Sequence, residues 1–195
     1  MRIAAGVLVL LQAALCASLH AATLAVTVRS ATGFPVRDAV VYAVLVGSDV
    51  PPSRATAVMD QKNRTFVPHV LAVQTGTAVS FPNNDDIQHQ VYSFSPTKTF
   101  QLPLYKGTPG QRIVFDKPGV VALGCNIHDN MNAFIVVVDT PYFGKTNATG
   151  RTELEGLHAG SYGVRIWHAD TESEWPPKAV SLAESDHARI EFIVP

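Results

Sequence analysis

The distribution of glycine and proline is the feature of this sequence that most limits its fold. Thirteen glycines and thirteen prolines are spread along 195 residues, and short segments such as residues 23–29 alternate apolar and polar residues between them. A period of two turns one face of a strand toward a core, whereas a helical period of 3.6 is not seen beyond the N-terminal segment. The sequence therefore predicts an all-β protein of one or two sandwiches.

The predicted strands are short, and most are bounded by Gly, Pro, Asn or Asp, which favour turns. A proline-rich stretch at residues 49–54 is a candidate boundary between two parts of the chain. We predict strands at 23–29, 39–46, 66–73, 78–81, 89–94, 112–115, 120–125, 133–138, 151–154, 162–167, 179–182 and 189–194.

Composition and charge exclude several classes of function. Apolar residues make up 47% of the chain and charged residues 16%, so the chain can bury a core. Fifteen basic and sixteen acidic residues give a net charge of −1. This balance excludes a strongly basic nucleic-acid binder and a polybasic membrane-surface protein. No internal apolar run approaches the roughly 18 residues that a membrane span needs, so no span is predicted.

The N-terminal segment has the pattern of a secretory signal peptide. Met1-Arg2 is followed by a long apolar run and then by small residues, which predicts cleavage near Ala21 or Ala22. A buried N-terminal helix is the alternative. The signal-peptide interpretation gives a periplasmic or secreted protein and removes residues 1–21 together with Cys16. It leaves Cys125 as a lone thiol in an oxidising compartment, where a free thiol is a liability unless it is buried or bound.

The residues around Cys125 form the pattern Cys125-x2-His128-x2-Met131 between two predicted strands. Cys125 shares its parity with the apolar residues that precede it, so its thiol is predicted to point inward. A thiolate, an imidazole and a thioether on one short loop suit a soft or borderline metal, and copper is favoured. A trigonal site needs one more imidazole, for which His89 at a strand entry is the candidate. Zinc is less favoured, because structural zinc sites use several Cys or His and no Met. A buried free cysteine with unrelated surface histidines remains the alternative.

A longer pattern leads to a known family. Residues 66–93 read FxxxxLxVxxGTxVxFxNxDxxxHxVxS, and with the later CxxHxxM they resemble the plastocyanin-like cupredoxins. The short loop is similar to that of amicyanin, and the whole chain resembles plastocyanin-like proteins labelled methylamine-utilisation proteins. The resemblance implies one type 1 copper with His89, Cys125 and His128 as equatorial ligands and Met131 as the axial ligand. Gln90 departs from the pattern, because relatives often have Asn there, bonded across to the cysteine loop.

Both ends of the chain resemble a second kind of domain. Residues 25–43 and 144–167 each resemble part of a carboxypeptidase-regulatory-like, immunoglobulin-type β-sandwich. We therefore predict an Ig-like sandwich built from residues 22–54 and 141–195, with a cupredoxin-like Greek-key copper domain at 55–140 inserted between them. Residues 23–48 would then pair with strands in 144–195. One larger sandwich with no independent second domain is the alternative.

Three hypotheses for function follow. The leading one is a periplasmic electron carrier that exchanges electrons with a redox partner protein, has no organic substrate and is not an enzyme. A copper carrier or storage protein is the second, although Met59 and Met131 are the only methionines after the predicted signal peptide. A structural β-sandwich module stabilised by metal is the third.

Two further expectations concern exposure to solvent. Because His128 lies in the middle of its loop, we expect it to be nearer to solvent than His89 and Cys125. We expect Asp85 and Asp86 to form a solvated loop. The remaining histidines of the mature chain are expected at the surface or in structural hydrogen bonds: His69, His158, His168 and His187.

Overall fold

Every regular element of the described chain is a β-strand, as the alternating sequence predicts. The computed structural model describes residues 21–128, 130–171 and 175–195. The predicted signal peptide of residues 1–21 lies, apart from Ala21, outside the described residues. Within the described ranges, no helix is long and apolar enough to cross a membrane. The predicted all-β fold class is confirmed.

The strands fall into two groups, which form two sandwiches. The central sandwich comprises β3 (Thr56–Val58), β4 (Asp60–Lys62), β5 (Thr65–Val67), β6 (Val70–Gln74), β7 (Ala78–Ser80), β8 (His89–Ser95), β9 (Lys98–Tyr105), β10 (Ile113–Val114), β11 (Gly119–Gly124) and β12 (Asn132–Val138). The terminal sandwich comprises β1 (Ala22–Ser30), β2 (Val40–Leu45), β13 (Phe143–Lys145), β14 (Arg151–Leu157), β15 (Gly160–Trp167), β16 (Lys178–Leu182) and β17 (His187–Val194).

The central sandwich lies where the sequence predicts a cupredoxin-like Greek-key domain. One sheet has the strand order β6-β12-β11-β8-β9, the other has the order β10-β7-β3, and β4 and β5 form a separate hairpin. Two of the neighbouring pairs in the larger sheet, β6 with β12 and β11 with β8, are not sequential in the chain, as a Greek-key connection requires. The two sheets enclose an apolar cluster that includes Met59, Phe81, Phe115 and Ile135, each no more than 1% exposed.

The terminal sandwich is built from both ends of the chain. β1 pairs with β14 and with β17, and β2 pairs with β13 and β15. The predicted pairing of residues 23–48 with strands in 144–195 is therefore confirmed. Apolar side chains of both sheets, including Leu24, Val41 and Val164, fill a separate core. The domain boundaries at residues 22, 55 and 141 stay a prediction.

A third apolar cluster joins the two sandwiches. Val40 of the terminal sandwich packs with Val70, Val136 and Val138 of the central one, and Trp167 lies at its edge. β12 is consequently buried on both faces, which explains its continuous apolar sequence.

The sequence missed four strands, namely β3, β4, β9 and β13, and it joined β5 and β6 into one. Pro68 and the exposed His69 separate β5 from β6. β9 contains Pro103, which argues against a central strand because proline donates no ladder hydrogen bond. β9 lies at the edge of its sheet, where that loss is tolerated. The other missed strands are three residues long and carry little periodicity.

Replacing Leu24 by alanine is expected to lower the free energy of unfolding by about 2–5 kcal/mol, because it leaves a cavity in a core where Leu24 is fully buried. Denaturant titration measures the loss. Ile193→Ala is the matched control, since Ile193 lies in the same sheet and is 55% exposed. Equal losses for the two variants would contradict the assignment of Leu24 to the core.

Candidate metal centre

Antiparallel pairing places the two loops of the candidate site at the same end of the central sandwich. β8 begins at His89, and Cys125 follows directly after β11 ends. Because Gly124 is opposite Tyr92 in the antiparallel pair, the chain that continues from β11 into Cys125 runs toward the start of β8. The loop after Cys125 then folds back into β12, and the amide of Met131 donates to the His128 carbonyl at 2.9 Å.

Three of the four predicted ligands converge. One ligand atom from each of His89, Cys125 and His128 lies within 4.8 Å of the others. Sγ of Cys125 is 3.9 Å from Nδ1 of His89, and the two imidazole rings are 5.1 Å apart between centroids. Among the described residues this is the one group of three or more His, Cys, Asp or Glu side chains with such spacing.

The three side chains differ in their access to solvent. His89 is fully buried and Cys125 is 5% exposed, whereas His128 is partly exposed. The expectation that His128 lies nearest to solvent is confirmed. Cys125 is a free thiol whose chain parity turns it into the core, as predicted.

His128 carries a polar atom that the described protein leaves unsatisfied. Its Nδ1 is buried and has no hydrogen-bond partner. An unpaired buried polar atom costs roughly 1–3 kcal/mol, and native proteins rarely tolerate one without a reason. A metal bound by the imidazole would satisfy such a nitrogen. Two imidazoles and one thiol, with an orphan ring nitrogen among them, fit a copper ion.

Met131 lies in the same apolar cluster as Cys125 and is 1% exposed. Both residues line an open groove of about 610 Å³ beside Tyr92 and Asn132. Burial next to Cys125 is compatible with the predicted axial role of Met131, which stays a prediction.

The prediction that Asp85 is solvated is wrong. The side chain of Asp85 is only 9% exposed, and Nε2 of His89 donates a hydrogen bond to its Oδ2 at 2.7 Å. Its carboxylate also accepts the backbone N–H groups of Asn63 and Arg64, at 2.6 and 2.8 Å. Asp86, by contrast, is exposed as expected. The position of Asp85 four residues before His89 is the signal that could have identified this contact.

Opposing influences act on the pKa of Asp85. Burial raises this pKa, whereas hydrogen bonds from the Arg64 backbone, from His89 and from the Asn63 backbone lower it. The hydrogen bonds outweigh burial, so the pKa of Asp85 lies below its ordinary value.

A hydrogen-bonded frame fixes the loop between β7 and β8. Nδ2 of Asn83 donates to the carbonyls of Ile87 and Tyr105, at 2.9 and 2.8 Å. The Tyr105 hydroxyl donates to the Phe81 carbonyl at 2.6 Å, and burial raises the pKa of Tyr105 to about 12. The loop that carries Asp85 is therefore held at both ends, which restricts the position of His89.

Other side chains that the sequence singled out lie outside the cluster. His69, His158 and His187 are exposed, as predicted, and Nε2 of His168 lies 3.1 Å from the Arg37 carbonyl. Gln90 is 8% exposed, and no side-chain hydrogen bond joins it to the described residues of the cysteine loop.

The solved structures to which this chain is similar include cupredoxins and a copper-containing enzyme. A copper-containing nitrite reductase from Thermus scotoductus SA-01 is 28% identical over 50% of this chain, with a TM-score of 0.40, and the chain spans 25% of its length. A purple cupredoxin from Nitrosopumilus maritimus is 22% identical over 43% of this chain and 99% of its own, with a TM-score of 0.37. An amicyanin mutant is 18% identical over 50% and 99% of the two chains, with a TM-score of 0.38.

No model of a known protein family matches the sequence, and no curated protein does. The likenesses to solved structures are partial. The evidence for a metal site is therefore the cluster of His89, Cys125 and His128.

The burial of Cys125 predicts its reactivity in the metal-free protein. Iodoacetamide should alkylate Cys125 in the folded chain roughly tenfold or more slowly than in the unfolded chain, because alkylation needs local opening. Mass spectrometry of the peptide that contains Cys125 measures the rate. His128→Ala should accelerate the reaction by removing a neighbouring ring that is nearer to solvent, whereas His158→Ala in the terminal sandwich should not. Equal rates in the folded and unfolded states would contradict the described burial.

Proposed function

We propose that this chain is a type 1 copper protein that carries electrons, with copper held by His89, Cys125, His128 and Met131. The observation that supports this proposal most is the convergence of two imidazoles and one thiol. One of the imidazoles, that of His128, has a buried nitrogen without a hydrogen-bond partner in the described residues. A copper ion bound there would supply a one-electron couple between Cu(I) and Cu(II).

The rigidity of the surroundings supports electron transfer. His89 starts a paired strand, Cys125 directly follows one, and the loop before His89 is fixed by Asn83. Ligands that cannot move keep one geometry in both oxidation states, so little reorganisation accompanies a change of charge.

The difference in exposure gives the proposed route for electrons. His128 is partly exposed, and the neighbouring Ile127 is 47% exposed, so this end of the sandwich can contact a redox partner. His89 and Cys125 are shielded from water. We propose a periplasmic location for this exchange, in line with the N-terminal sequence.

Enclosure of the site favours an electron carrier over a copper carrier or storage protein. A protein that delivers copper needs ligands that can be exchanged, and three of the four proposed ligands are almost completely buried. We propose no catalytic activity. A role for the metal in stability alone would predict no electron exchange, which the experiments below can detect.

Cys125→Ser is expected to remove the intense visible absorption of the copper(II)-loaded protein, because that absorption requires a thiolate bonded to copper and a serine hydroxyl is a harder, weaker donor. Absorption and electron paramagnetic resonance spectra measure the change. His69→Ala, at an exposed histidine outside the cluster, is the control and should keep the spectrum. A colourless wild type, or a Cys125→Ser variant as blue as the wild type, would remove the proposal.

Met131→Gln is expected to keep the blue colour and to lower the reduction potential, because an axial amide oxygen is a harder donor that favours Cu(II). Protein-film voltammetry measures the potential. Met59→Leu is the matched control, since Met59 is a buried methionine in the same core and is not a proposed ligand. An unchanged potential in Met131→Gln would exclude Met131 as a ligand and leave the other three in place.

A further inference from the structure

We propose that Asp85 is a positioning residue for the copper site: held by the Asn63–Arg64 turn, its carboxylate fixes His89 with a proton on Nε2 and with Nδ1 directed toward the metal. This inference rests on the proposed function and deepens it. Asp85, Asn63 and Arg64 are not among the four proposed ligands, so the inference assigns a role to residues outside the ligand set.

The turn is shaped to bind a carboxylate. Asn63 and Arg64 connect β4 to β5 and have φ values of 55° and 58°, both in the left-handed region. Two successive left-handed residues are typical of a tight hairpin turn and are usually Asn, Asp or Gly. Here the conformation directs both backbone N–H groups at Asp85, which accepts them on different oxygens: Asn63 on Oδ1 and Arg64 on Oδ2.

Asp85 is held by contacts that do not involve His89. Besides the two amides of the turn, its own backbone N–H donates to Oδ1 of Asn83 at 3.0 Å. The neighbouring Asn84 is also fixed, because its side chain donates to both carboxylate oxygens of Asp60 at 2.9 Å. The position of the carboxylate therefore does not depend on His89, and its hydrogen bond can determine the orientation of the His89 ring.

The consequence for His89 follows from hydrogen-bond chemistry. A carboxylate accepts and does not donate, so the 2.7 Å contact requires the proton on Nε2. In the neutral ring Nδ1 then carries the lone pair, and Nδ1 is the atom 3.9 Å from the Cys125 sulfur. A carboxylate behind a ligating histidine also makes the ring a stronger donor, which favours the higher oxidation state of the metal.

A purely structural role would have different effects. If Asp85 only tied the β4–β5 turn to its loop, its replacement would lower stability and leave the metal properties of the folded protein unchanged. The proposed role requires changes at His89 and at the metal in a protein that is still folded.

Asp85→Asn is the decisive variant. The amide is close in shape but has one oxygen, so it cannot accept from Asn63, Arg64 and His89 in the same arrangement. Asp86→Asn is the matched control: it removes the same charge from the same loop, at an exposed side chain. Both variants are measured by ¹⁵N NMR of the histidine rings without metal, by copper(II) affinity in competition with a chelator, and by reduction potential.

We expect the metal-free wild type and Asp86→Asn to show His89 as the single Nε2-protonated tautomer. Asp85→Asn should show a mixture of tautomers, bind copper(II) about 10- to 100-fold more weakly and have a higher potential. A wild type with His89 protonated on Nδ1 would overturn the positioning role, even if Asp85→Asn fails to fold.

The outcomes separate the two proposals. A wild type that binds copper(II) in a blue site, with Asp85→Asn equal to Asp86→Asn in affinity and potential, would overturn the positioning role alone. A wild type that shows the Nε2 tautomer but binds no copper would overturn the proposed function, and with it the role of Asp85 toward copper.

Discussion

The pairing of β8 with β11 determines where the candidate site can form. It places Gly124 opposite Tyr92, so the chain that continues into Cys125 runs toward the start of β8, where His89 lies. Gly124 permits this close approach, because a Cβ there would lie 2.6 Å from ring atoms of Tyr92. A side chain at position 124 would therefore require the Tyr92 ring to move away from the end of β11.

The terminal sandwich packs against β12, the strand that follows the cysteine loop. β12 receives the chain directly after the Cys125 loop, and its valines are covered on one face by the central core and on the other by the cluster around Val40. Lys145 adds a polar link across the junction, since its Nζ donates to the Val70 carbonyl at 2.7 Å and lies 3.1 Å from Asp38. A strand that is buried on both faces has little freedom to slide, so the loop that it anchors has a fixed end.

Sequence reasoning succeeded where periodicity or spacing carries the information. Parity placed Cys125 in the core, and the three-residue spacing placed His128 beside it. It failed where position depends on contacts between distant segments. The burial of Asp85 results from the Asn63–Arg64 turn, which lies more than twenty residues earlier and is part of a hairpin too short to show periodicity. β9 was missed because Pro103 is acceptable only at a sheet edge, and the sequence alone does not show which strand lies at the edge.

The polar groups near the site differ in the free energy that their burial costs. Asn83, Asp85 and Tyr105 have partners for the interactions that fix the loop before His89, so their burial is compensated. Within the described residues, Nδ1 of His128 and Oε1 of Gln61 have no hydrogen-bond partner. The loop of His128 is closed by the Met131 amide, which donates to the His128 carbonyl, and one ligand atom of His128 lies within 4.8 Å of those of Cys125 and His89. An unsatisfied buried nitrogen lowers the stability of the metal-free protein, and it increases the free energy released when a metal binds, because binding satisfies that nitrogen.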